Sequence, residues 1–150
     1  MRLSKDLREF IELLNSRHVE YVIVGAYSLA FHARPRFTGD LDILVRPSEA
    51  NARRVVALLE EFGFTELNLH ARDLIEPGQV IELGRVPNRV DLLTSITGVA
   101  TDDVFFARVS GELDGLPVFF LSKQQLIDNK RAVARPQDLA DLSELSAEAE

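Results

Sequence analysis

The chain has 150 residues, 46% hydrophobic and 27% charged, the balance of an ordinary globule long enough for one domain, residues 1–150, and a real core. It has no cysteine, which excludes a disulfide framework, a thiolate zinc site and a cysteine nucleophile, and no apolar run approaches a membrane span. The formal charge of −7 argues against an extended nucleic-acid footprint, although five of the 24 acids lie beyond Arg135, and the 19 before it face 17 bases, a balance compatible with a short contact to an RNA end.

Met1-Arg2-Leu3-Ser4-Lys5-Asp6 lacks the apolar run of a signal peptide, so a cytoplasmic protein without a membrane anchor is expected. Ser4 is placed to cap a helix over about 5–17, with Leu7, Phe10, Ile11 and Leu14 on one stripe. Tyr21-Val22-Ile23-Val24 reads as a short buried strand ending at Gly25, followed by a helix over 26–33 that Pro35 stops. The segment 34–39 turns the chain into a second apolar strand, which opens at Asp40. Ser48 caps a helix whose apolar residues Ala52, Val55, Val56, Leu59 and Phe62 keep helical spacing up to Gly63.

Residues 64–78 are poorly patterned and read as loop or irregular helix. Residues 80–83 and 89–93 flank Pro87-Asn88 and read as a hairpin. A short helix is expected over 101–108, then a second hairpin, 109–113 with 118–121, around Asp114-Gly115. Ser122 and Gln125 have capping-box spacing for a helix through about Ala134, and a last helix runs from Gln137 to about Ala147. The mixture of helices and strands lacks the alternation of a doubly wound sheet. It implies an α+β fold with a small mixed sheet packed against helices.

The chemistry concentrates in Gly39-Asp40-Leu41-Asp42-Ile43-Leu44-Val45. Side chains alternate along a strand, so Asp40 and Asp42 share a face while Leu41, Ile43 and Val45 enter the core. Two such carboxylates repel, and a cation between them relieves the repulsion. All-oxygen ligands without cysteine suit Mg²⁺ or Mn²⁺, which substrate phosphates commonly complete. Asp91, alternating with Val90 and Leu92 in another strand, would make a three-carboxylate cluster if the two strands are neighbours. Gly25 at a strand-to-helix junction offers free backbone N–H groups and a positive helix end to a phosphate chain, with Ser28 adding a hydroxyl. Arg36 and Lys130 are candidate phosphate partners. Arg135-Pro136 with Asp138 and Asp141 reads as a structural corner. His18 and His70 lack partners at metal-ligand spacing, and His32, Tyr27 and Phe31 read as structural.

The stretch Val22-Ile23-Val24-Gly25-Ala26, thirteen further residues and then Asp40-Leu41-Asp42-Ile43 resembles the signature of the nucleotidyltransferase superfamily that includes DNA polymerase β. Val90-Asp91-Leu92-Leu93 is similar to its third carboxylate strand. The segment 129–142 resembles the C-terminal part of small bacterial members related to abortive-infection toxin components. Ala26 stands where those proteins have Gly or Ser, keeping the N–H but not the hydroxyl.

The resemblance implies a nucleotidyltransferase fold and transfer of a nucleoside monophosphate from a nucleoside triphosphate (NTP), as substrate, to an acceptor hydroxyl, with pyrophosphate leaving. It implies Asp40, Asp42 and Asp91 as catalytic and metal-binding residues for Mg²⁺ or Mn²⁺, and Gly25, Ser28, Arg36 and Lys130 on the nucleotide side. The acceptor would be a tRNA or other RNA end, a protein, or a small molecule; an antitoxin partner or a homodimer is compatible with such relatives. The alternative is a non-catalytic binding module of the same fold, or half of a toxin–antitoxin pair. A dehalogenase-type Asp-x-Asp fits less well, because there the pair follows its strand, whereas here it opens one.

Overall fold

The computed structural model describes residues 2–33, 39–64, 67–84 and 88–149. Ser4 accepts the Leu7 N–H at 3.3 Å and starts α1 (Lys5–Ser16), which buries Leu7, Phe10, Ile11 and Leu14 as its apolar spacing dictates. Strand β1 (Tyr21–Val24) is wholly buried and runs directly into α2 (Gly25–His32). Strand β2 (Leu41–Val45) leads to α3 (Glu49–Phe62), capped by the Ser48 hydroxyl on Asn51 N–H and stopped by Gly63 at φ +105°. Part of the poorly patterned stretch forms a 3-10 turn at Ala71–Leu74.

The remaining elements are β3 (Val80–Leu83), β4 (Val90–Leu93), α4 (Thr101–Ala107), β5 (Val109–Leu113), β6 (Leu116–Phe120), α5 (Lys123–Val133) and α6 (Pro136–Ala149). Asp114 and Gly115 both take positive φ between β5 and β6, the geometry that a two-residue hairpin turn requires. The expected capping box at α5 is only half formed. Ser122 accepts the Gln125 N–H, but the Gln125 amide turns away to the carbonyl of Asp103 at 2.9 Å.

Six strands form one mixed sheet in the order β3-β4-β2-β1-β6-β5. Strands β1 and β2 are antiparallel, while β2 pairs in parallel with β4 and β1 with β6. One face carries Tyr21, Ile23, Leu41, Ile43, Val45 and Leu92 into a core with α1 and α3. The other carries Val22, Val24 and Leu44 against Leu29, Val104, Leu126 and Leu145 of α2, α4, α5 and α6. Tyr27 is buried as expected, whereas Phe31 is 43% exposed and stacks its ring on Phe120. Among the described residues no helix is long and apolar enough to cross a membrane.

Candidate active site

A single row of residues crosses four strands: Val24 opposite Asp42, Asp42 opposite Asp91, Asp91 opposite Glu82. Directly paired residues project from the same face, on strands about 4.8 Å apart. The parallel β2–β4 register therefore places Asp42 and Asp91 side by side on the second face, and the antiparallel β3–β4 ladder adds Glu82. Asp40 stands just ahead of β2, near enough for its charge to act on Asp42. Of the three aspartates singled out in the sequence, Asp42 and Asp91 are direct neighbours and Asp40 precedes them, while Glu82 joins the row.

The electrostatics follow from that crowding. Burial pushes the Asp42 carboxyl from the ordinary 3.8 up to about 7, and the charges of Asp91 and Asp40 push in the same direction. A hydrogen bond shared with Asp91 further favours the protonated form, and Arg89 opposes it only weakly. Arg89 itself sits among the acids. Its Nε donates to Asp91 Oδ1 at 2.9 Å, and its Nη2 donates both to Asp91 Oδ2 at 3.2 Å and to Glu82 Oε1 at 2.8 Å. Those contacts hold the Arg89 guanidinium strongly protonated.

Gly25 explains itself at this site. Its φ of +67° is a left-handed conformation that side chains rarely adopt, and a Cβ there would fall inside the carboxylate of Asp42. Glycine is thus required both by the backbone and by the acid resting on it. Among the described residues no side chain caps α2, which leaves the N–H groups of its first turn open beside Asp42.

As donors, Asp42 and Asp91 offer carboxylate oxygens side by side on one face of the sheet, the ligand type a hard divalent cation takes, and the charged form of Asp42 is disfavoured by its neighbours. Among the described residues, however, no three such side chains are already arranged as a cage around one point. Arg89 and the shared proton balance the charge instead.

Ser28 and Lys130 are placed differently from expectation. Ser28 is 0% exposed, on the buried side of α2, and its hydroxyl has no partner among the described residues. Helical phase is the reason, since three residues past Gly25 the side chain has rotated most of a turn. Lys130 is also buried, its Nζ lying 3.4 Å from Asp138 and 2.9 Å from Asp141. It ties α5 to α6 rather than standing free for phosphate. Arg36 lies outside the described residues. His32 Nε2 is 2.5 Å from the Leu121 carbonyl, a structural bond.

Sequence reasoning missed Arg89 and Glu82. The alternation that singled out Asp91 also placed Arg89 two residues earlier on the same face, and that was the available signal. Glu82 carried none, because only the ladder register puts it opposite Asp91. A cleft of about 470 Å³ opens beside the row, between β3–β4 and the C-terminal end of α5, with Gly25, Asp42, Ser95, Asn129 and Arg135 on its walls. A larger hollow, about 720 Å³, is lined by Glu9, Glu12 and Glu61 on α1 and α3, on the opposite side of the sheet from this chemistry.

Comparison with solved structures finds this mixed α+β architecture in nucleotidyltransferases. A proposed nucleotidyltransferase of Thermotoga maritima superposes with a TM-score of 0.62 at 18% identity, over 95% of this chain and 91% of that one. The lincosamide antibiotic adenylyltransferase LnuA, in its lincomycin-bound form, gives 0.59 at 14% identity, over 97% of each chain. ANT(2″)-Ia, in complex with adenylyl-2″-tobramycin, gives 0.56 at 14% identity, over 96% and 87%. No family model and no curated protein matches the sequence. The chain has the nucleotidyltransferase fold.

Proposed function

We propose that this protein is a divalent-metal-dependent nucleotidyltransferase, moving a nucleoside monophosphate from a nucleoside triphosphate to an acceptor hydroxyl. The observation that carries this reading is the parallel register of Asp42 with Asp91, beside a helix N-terminus whose first residue is Gly25. Asp40 and Asp42 would hold Mg²⁺ or Mn²⁺, with Asp91 sharing the ion once Arg89 turns aside. When bound, such an ion neutralises charge on the attacking and leaving oxygens of an in-line displacement.

The chain's own residues do the rest. The open N–H groups of α2 receive the triphosphate beside the Asp42 carboxylate that Gly25 admits. Asp91 orients the acceptor hydroxyl and takes its proton as the new bond from that oxygen to the α-phosphorus forms. The bond from the α-phosphorus to the bridging oxygen breaks, and pyrophosphate leaves. The cleft volume suits a nucleotide, so the acceptor presents its hydroxyl at the mouth.

The test is to incubate the protein with each radiolabelled triphosphate, Mn²⁺ and a cell extract, and separately with lincomycin or tobramycin, the compounds named with LnuA and ANT(2″)-Ia. Labelled RNA, protein or small molecule that disappears with Asp40→Ala supports the reading and names the acceptor class. Absence of labelled product with all four triphosphates overturns it.

A further inference from the structure

Of two basic residues near the end of α5, one lost its expected part and the other kept its part and gained a second position. Lys130 is sealed inside, while Arg135 makes the expected corner with Asp138 and also lines the cleft that holds Gly25 and Asp42. Among the described residues on the walls of that cleft, Arg135 is the only cation.

Arg135 is held without being used up. Its Nε donates to Asp138 Oδ2 at 2.8 Å, its Nη2 to Oδ1 at 3.3 Å, and its backbone N–H to Oδ2 at 3.0 Å. Asp138 is 2% exposed and is itself anchored by Lys130. Yet the Arg135 side chain is 70% exposed, and its Nη1 has no partner among the described residues. A largely exposed guanidinium held by a buried carboxylate at the wall of a cleft is preorganised for an oxyanion. The same cleft carries Asp42 and the glycine that opens α2. A polyphosphate entering there needs a positive group facing it, and Arg135 supplies that group.

We propose that Arg135 is a polyphosphate-binding residue, gripping the phosphates that leave as pyrophosphate, and that Lys130, Asp138 and Asp141 form the buried brace that aims it. This inference rests on the nucleotidyltransferase reading and deepens it by assigning the leaving-group side of the cleft.

The experiment is calorimetric titration of the full chain with Mg²⁺ and, in separate runs, ATP, inorganic tripolyphosphate and AMP. Thermal unfolding of every variant is recorded in parallel. Arg135→Gln should weaken ATP and tripolyphosphate about tenfold or more, the scale of one charge-assisted pair. It should leave AMP affinity nearly unchanged while lowering the unfolding temperature through the lost bonds to Asp138, and Arg135→Lys should recover part of the polyphosphate loss. Asp138→Asn should weaken tripolyphosphate in the same direction, because the guanidinium loses its aim. If wild type binds ATP and tripolyphosphate and Arg135→Gln binds them equally well, the assignment of Arg135 is overturned while the proposed activity stands. If wild type binds neither with Mg²⁺, and no triphosphate supports transfer, both fall together.

Discussion

Replacing Asp42 by Asn should stabilise the protein when divalent ions are withheld, and the gain should grow with pH. The folded state lifts the Asp42 carboxyl to about 7 from 3.8, by burial first and then by the charges of Asp91 and Asp40. Between those two values the native chain keeps a proton that the unfolded chain has already released. Stability from this group is therefore greatest at low pH, falls as pH rises from about 4 to 7, and is flat above. Each unit is worth about 1.4 kcal/mol, so three units set a ceiling of about 4 kcal/mol; partial solvent access at this half-buried carboxyl reduces a realistic figure to about 2 kcal/mol. Asparagine is neutral throughout and can still donate to Asp91, so it removes the repulsion while keeping the bond. Urea unfolding in EDTA, followed by circular dichroism, should find the two proteins close at pH 4.5 and the Asn variant ahead by about 2 kcal/mol at pH 8, a midpoint shift of about 1 M. Adding Mn²⁺ should then raise wild type and leave the variant behind. A gap that does not vary with pH, or an Asn variant less stable at pH 8, would refute the reasoning.

Gly25→Ala adds a methyl group into the Asp42 carboxylate at a φ of +67°, and should cost at least about 2 kcal/mol, read as a lowered urea midpoint, together with any activity. An unchanged midpoint would mean that the helix start differs from that described. Arg89→Gln takes the guanidinium off Asp91 and Glu82. In EDTA the melting temperature should fall, while Mn²⁺ affinity, measured by electron paramagnetic resonance, should rise several-fold; weaker Mn²⁺ binding would show that Arg89 supports rather than competes with the ion. Lys130→Met leaves Asp138 and Asp141 buried without their shared cation and should cost about 3–5 kcal/mol in urea unfolding. Its bonds to Arg135 hold the Asp138 carboxyl near 2, so the corner's contribution is complete above about pH 4 and lost as pH falls towards 2. Acid unfolding of Asp138→Asn should lack that component.

Local pattern alone determined most of the elements. The 3.6-residue spacing of Leu7, Phe10, Ile11 and Leu14, the caps at Ser4 and Ser48, the stop at Gly63 and the turn at Asp114-Gly115 act within a few residues, so they are legible without knowing the neighbours. The alternation around Asp40 and Asp42 likewise exposed the acidic face. Partnership was not legible. Whether Asp42 meets Asp91 depends on β2 and β4 lying side by side in one register out of several, and a slip of one residue would send Asp91 to the opposite face. The same ladder brought in Glu82, and Arg89 became its bridge.

The rotation of a helix against its neighbours was decided only in three dimensions. The packing of α2 turned Ser28 into the interior, and the docking of α6 on α5 closed Asp138 and Asp141 over Lys130 and left Arg135 on the cleft wall. A sequence records which charges a helix carries. Which of them faces solvent is fixed by the surface that buries the opposite stripe, and that surface comes from residues distant in the chain.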